Sequence, residues 1–159
     1  MTEALRRQWE DWVAARPPVE SALTRVAFYA LLAGRTPTVA ELAMSGVSEA
    51  ALTETLETMV GQGLATVDGD SITGIGGLSR VPAPHALQWN GHPYWTWCAL
   101  DAIGIPAAWG GSARVTSRTA SDGAPVVLTL EDGGWIDPDP TLGIRLAEPS
   151  VARSLCGGT

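Results

Sequence analysis

The chain reads as an α+β protein: an N-terminal helical, winged-helix-like module, then a mixed α/β domain with a largely antiparallel sheet. Three observations predict this. Helical periodicity dominates up to about residue 61, strand and turn chemistry dominates after residue 64, and a Gly/Pro-rich stretch, Ile75 to Pro84, separates two parts taken as 1–76 and 77–159. With 45% hydrophobic and 17% charged residues over 159 positions, the chain has the composition of a globular protein.

The elements follow in order. Residues 3–16 suit a helix with Leu5, Trp9, Trp12 and Val13 on one side, ended by Pro17-Pro18. A second helix is expected from about Glu20 to Ala33, turning Leu23, Val26, Ala27, Ala30 and Leu31 to a core, with Gly34 as its C-terminal cap. Then come a short helical piece from Thr38 to Met44, a break at Ser45-Gly46, and a helix from Ser48, its N-cap, to Val60. Strand-like pieces at Leu64–Val67 and Ser71–Thr73 flank the turn Asp68-Gly69-Asp70. Helix, turn, helix, hairpin is the order of a winged helix-turn-helix.

Beyond the Gly/Pro-rich stretch, His85–Trp89 and His92–Trp95 flank Asn90-Gly91, the strongest short hairpin signal. That hairpin leads into a short helix in which Trp97, Leu100 and Ile103 recur at three-residue steps until Gly104 and Pro106 stop them. Strands are expected at Ala113–Arg118, Pro125–Leu130, around Trp135 and at Gly143–Leu146, with turns at Ser121-Asp122-Gly123 and Glu131–Gly134. Alternation along the first two predicts a sheet with one wet face. Ser150 caps a helical turn that runs to Cys156.

Charge excludes some partners. The net charge is −7, and all ten basic residues are arginines scattered from Arg6 to Arg153. A nucleic-acid binder carries a basic stripe, whereas the helix in the recognition position offers Glu49, Glu54 and Glu57 and no base. No apolar run approaches the ~18 residues of a membrane span, and the first ten residues lack an apolar h-region. The expected address is cytoplasmic, where two cysteines are by default reduced thiols rather than a disulfide.

Those thiols, Cys98 and Cys156, are the chemical candidates. On a helix, positions i and i+3 lie about 5–6 Å apart at Cβ, so Asp101 shares a face with Cys98 and can exchange a proton with whatever the sulfur binds. Cys98 is expected in the first turn of that helix, where the N-terminus favours the thiolate. The competing reading is a buried structural cysteine. Two distant cysteines beside the hairpin histidines His85 and His92 make a poor zinc site, and the histidines read as exposed hairpin residues. Gly74-Ile-Gly-Gly lacks the setting of a phosphate loop, and Asp137-Pro-Asp-Pro140 is a stiff turn with too few ligands for calcium. Trp89, Trp95, Trp97, Trp109 and Trp135 could line an apolar pocket or fill a core. Two thiolates without imidazoles suit a soft, thiophilic metal such as Hg(II), and a carboxylate beside them adds a proton carrier.

At these residues the chain resembles a known family. Trp97-Cys98-Ala99-Leu100-Asp101 followed by Pro106-Ala107, then Ala113-Arg114-Val115, Gly123-Ala124-Pro125-Val126 and Val151–Cys156, is similar to the successive blocks of the organomercurial (alkylmercury) lyases. The likeness is dense from about Leu78 to Cys156. It implies protonolysis of a carbon–mercury bond to a hydrocarbon and Hg(II), a detoxification, with Cys98, Cys156 and Asp101 as catalytic residues that also meet the mercury. One thiolate would capture the organomercurial, the second would attack the same metal, and Asp101 would carry the proton to carbon.

The resemblance further implies no resident cofactor, small cellular thiols to release Hg(II), a small organomercurial as substrate and no DNA binding, while the charge argues against a membrane or nucleic-acid partner. A further cysteine common in that family is Thr119 here, at a position taken as structural. Members of the family continue well past the second cysteine, where this sequence has only Gly157, Gly158 and Thr159, so the expectation is either a fragment of a longer protein or a relative with a C-terminally shortened second domain. The alternative reading is a non-catalytic relative that binds mercury or another soft metal through its thiols.

Overall fold

The computed structural model describes residues 15–43, 47–132, 134–136 and 139–144. Among the described residues three helices come first: α1 (Pro18–Leu32), α2 (Val39–Leu42) and α3 (Glu49–Gly61). Prolines at 17 and 18 start α1 where a missing N–H costs nothing. Gly34, at φ +79, follows the last turn in the left-handed conformation expected of it. α2 is held by a capping box, in which the Glu41 N–H donates to Thr38 Oγ1 at 3.3 Å and the Thr38 N–H to Glu41 Oε2 at 2.8 Å. Ser48 caps α3 as its position predicts, accepting from the Ala51 N–H at 3.3 Å. The expected helix over residues 3–16 and the turn to Cys156 lie outside the described residues.

The strands are β1 (Ala65–Asp68), β2 (Ser71–Ile75), β3 (Leu78–Ser79), β4 (His85–Trp89), β5 (His92–Thr96), β6 (Ala113–Arg118), β7 (Pro125–Glu131) and β8 (Gly134–Ile136), with helix α4 (Ala99–Trp109) between β5 and β6. They form one sheet in the order β1-β2-β3-β5-β4-β6-β7-β8, each neighbouring pair antiparallel. The fold is therefore α+β with an antiparallel sheet. Asn90 and Gly91 turn β4 into β5 with φ of 47° and 80°, the two left-handed residues of the tight turn that Asn-Gly favours. β6 and β7 place Ala113 opposite Leu130 and Val115 opposite Leu128 on the covered face, while Arg114 and Val127 face solvent.

Three expectations need correction. The stretch after Ile75, expected to be a linker, contributes β3, which joins β2 to β5, so the sheet runs across position 76/77. Backbone pairing of two residues gives no periodic signal, and the surrounding Gly and Pro conceal it. Next, α4 continues through Gly104 and Pro106 to Trp109. Its buried side is Ala102, Ile105 and Pro106, spaced i, i+3, i+4, rather than Trp97, Leu100 and Ile103. The full burial of the Pro106 ring offsets the hydrogen bond that its nitrogen cannot make. Finally, Gly143 and Ile144 are not in a strand; Arg145 and Leu146 lie outside the described residues.

α1 packs on α3, β2 and β3, and α4 on β4, β5 and β6. One hydrophobic cluster spans both groups, from Leu23, Phe28 and Leu31 through Ile72, Ile75 and Leu78 to Leu87, Ile105 and Leu130. α1 is also tied to β5 and α4: Tyr94 Oη donates to the Leu32 carbonyl at 2.8 Å, and the Phe28 and Trp109 rings lie 5.3 Å apart. No helix among the described residues is long and apolar enough to cross a membrane.

Candidate active site

The site is built where β5 passes into α4. Thr96, the last residue of β5, is held on both sides, opposite Leu78 of β3 and His85 of β4, and is fully buried. Its hydroxyl donates to the Cys98 carbonyl at 3.1 Å, and the same carbonyl accepts the Ala102 N–H at 3.1 Å. The bonds fix the backbone of Cys98 on both flanks of the strand-to-helix junction.

Cys98 is the N-cap of α4, with extended backbone (φ −122°, ψ 137°), one position earlier than the first turn expected for it. Its side chain is buried, 5% exposed. Asp101 is the acidic residue of the first helical turn. N-cap and third helical position are the pair that capping boxes use, because that spacing folds the later side chain back over the helix start. Both groups thus stand at the positive end of α4, which favours a thiolate and a carboxylate alike.

The β2–β3 hairpin closes the site from the other side. A Cβ on Gly74 would stand 2.6 Å from the Trp97 ring, and one on Gly77 would stand under 3.0 Å from each atom of the Asp101 carboxyl group. Trp97 and Asp101, which bracket Cys98, therefore both rest on glycine backbone of one hairpin. Sequence reasoning singled out Cys98 and Asp101 through their spacing, and it gave no notice of Thr96 or Gly77 beside them. For Gly77 the only local signal is the Gly-Gly pair, which reads equally well as a loose connection.

Of the predicted site residues, Cys98 and Asp101 are brought to one helix end, and Cys156 lies outside the described residues. Among the described residues no group of three His, Cys, Asp and Glu side chains forms a cluster able to hold a metal. His92 is exposed, but His85 is half-buried, with Nδ1 2.6 Å from Ser117 Oγ, and burial lowers its pKa from the ordinary 6.5. Trp89 is a core residue whose indole N–H donates to the Gly110 carbonyl at 2.9 Å. Thr119 organises the β6–β7 turn: it accepts the Ala124 N–H at 2.9 Å on its hydroxyl, which in turn donates to the Asp122 carboxylate.

An antiparallel α+β fold with a buried cysteine capping a helix, and a carboxylate one turn in, defines a class of thiol-and-carboxylate site on a sheet-to-helix junction. A sequence profile of the alkylmercury lyases (MerB) matches residues 78–157, half of the chain, and the chain belongs to that family. It is 36% identical over 85 residues to the alkylmercury lyase of Pseudomonas putida, an alignment covering 50% of this chain and 40% of that protein. The alkylmercury lyase of Streptomyces lividans is 38% identical over 85 residues, covering 53% and 39%. The chain thus spans about two-fifths of the length of these curated relatives. The crystal structure of the mercury-bound form of MerB2 superimposes with a TM-score of 0.76 at 21% identity, covering 86% of this chain and 68% of that one, which shows the shared fold.

Proposed function

We propose that the protein is an alkylmercury lyase that breaks the carbon–mercury bond of small organomercurials by protonolysis, as part of mercury detoxification. The observation that carries this reading is the placement of Cys98 and Asp101 at the N-terminus of α4, within the family's matched region. In the proposed reaction, a Cys98 thiolate captures R–Hg⁺, and the Cys156 thiol gives up its proton and attacks the same metal as a thiolate. Asp101 takes up that proton and delivers it to the carbon bound to mercury. The C–Hg bond breaks with its electron pair going to carbon, so that R–H leaves and Hg(II) stays on the sulfurs. The change is redox-neutral and needs no resident cofactor. Small cellular thiols then remove Hg(II) by ligand exchange, which suits the reducing cytoplasm as the compartment.

The helical half, 1–76, is read as a winged-helix-like scaffold for the catalytic-type half, 77–159. The helices α1, α2 and α3 followed by the β1–β2 hairpin, with Thr38 bridged to Ser71, support that reading. Nucleic acid is not the partner: the groove between α2, α3 and this hairpin, about 590 Å³, is lined by Glu49, Glu57 and Asp70, carboxylates that repel phosphate.

The test is to incubate the protein with phenylmercury and excess small thiol and to follow benzene and Hg(II). Many turnovers establish the lyase. About one equivalent of mercury bound without benzene would instead leave a thiol-based binding relative of the family.

A further inference from the structure

The turn between β2 and β3 consists of two glycines, both left-handed: Gly76 at φ +63° and Gly77 at φ +85°. Their backbone conformation alone accounts for a glycine at either place. What they face is different. A Cβ on Gly76 would meet Thr24 and Phe28 of α1 at 3.2 Å, a tight contact with side chains that can give by a few tenths of an ångström. A Cβ on Gly77 would stand under 3.0 Å from Cγ, Oδ1 and Oδ2 of Asp101, a separation that real Cβ atoms do not sustain.

One partner must therefore move when Gly77 gains a side chain. The turn is anchored by the pairing of Gly74 with Ser79 and Ile75 with Leu78, and β3 is held in turn by β5. The Asp101 carboxyl is the far end of a side chain with two rotatable bonds. The carboxyl yields before the sheet does.

We propose that Gly77 is a positioning residue: its missing side chain seats the Asp101 carboxyl against the β2–β3 turn, where it serves Cys98. This rests on the reading of Asp101 as the proton carrier. A displacement of about 1 Å at a reacting group slows catalysis on the order of 100-fold, which sets the size of the expected effect.

The experiment compares Gly77→Ala, Gly77→Asn and Gly76→Ala in the full chain. Alanine adds a Cβ and left-handed strain, asparagine adds the Cβ at a position whose conformation it tolerates, and Gly76→Ala adds the strain away from Asp101. Two readouts are taken. The carbon-13 resonance of the Asp101 carboxyl, assigned through its loss in Asp101→Asn, is expected to move in both Gly77 variants and to stay in place in Gly76→Ala. With phenylmercury, both Gly77 variants are expected to bind about one equivalent yet release benzene on the order of 100-fold more slowly, while Gly76→Ala matches the unaltered chain.

Gly77→Asn serves alone if Gly77→Ala does not fold. An unmoved Asp101 resonance with benzene release at the unaltered rate in Gly77→Asn would overturn the proposal, as would an equal loss in Gly76→Ala. If the unaltered chain releases no benzene, the lyase reading falls, and the carboxyl resonance still decides whether Gly77 seats Asp101.

Discussion

The buried hydroxyl of Thr96 donates to the carbonyl of Cys98 at 3.1 Å, so the last side chain of β5 fixes the backbone of the residue that caps α4. A strand interior and a helix N-terminus are thereby joined across two residues. Removing that hydroxyl takes one donor from the Cys98 carbonyl, which also accepts the Ala102 N–H. Thr96→Val, which keeps the side-chain shape, is expected to lower stability by about 1 kcal/mol. Urea unfolding measures it; a midpoint equal to that of the unaltered chain would mean that the bond contributes nothing.

Asp101→Asn keeps the volume seated against Gly77 while removing the proton acceptor. Binding of about one equivalent of phenylmercury should persist, and benzene release should fall by at least about 100-fold, the ordinary contribution of general acid–base catalysis. Cys98→Ala should abolish the capture itself. Single-turnover measurements separate the two steps, and unimpaired benzene release from Asp101→Asn would remove the aspartate from the mechanism.

His85 supplies a pH dependence. Burial lowers its folded pKa below 6.5, so the unfolded chain binds the proton more tightly than the folded one. Its contribution to stability is complete above the unfolded value and is lost as pH falls from 6.5 through the folded pKa. His85→Gln should flatten the stability profile in that window. A profile as steep as before would assign the slope to other groups.

Thr119→Val should disorder the β6–β7 turn without touching the thiol site. The Thr119 hydroxyl is the largest cause, followed by the Ala124 N–H, of the lowered pKa of Asp122. In the variant, Asp122 should titrate closer to 3.8, as carboxyl carbon-13 shifts would show. Mercury capture should be unchanged, and a loss of capture would contradict the structural role given to this position.

Local chemistry was legible wherever it acts over a few residues. Asn90-Gly91 specifies its hairpin through left-handed backbone preferences, Ser48 caps α3 through one side-chain bond, and the spacing of Cys98 and Asp101 puts both at one helix end. Proline's local rule misled at position 106, because complete burial of its ring outweighs the lost hydrogen bond. β3 was concealed because two paired residues among Gly and Pro carry no periodicity.

By itself, then, the sequence determined most of the helices and strands, the Asn90-Gly91 hairpin turn, the acidic charge balance and the candidate pair of thiol and carboxylate. These follow from propensities and spacings that act within a few residues. Only the tertiary structure decided that the expected linker joins β2 to β5 in the sheet, that the Thr96 hydroxyl bonds the Cys98 carbonyl, and that Gly77 lies under Asp101. Such contacts join residues far apart in the chain, and their geometry exists only once β2, β3 and β5 have paired and α4 has packed onto the sheet.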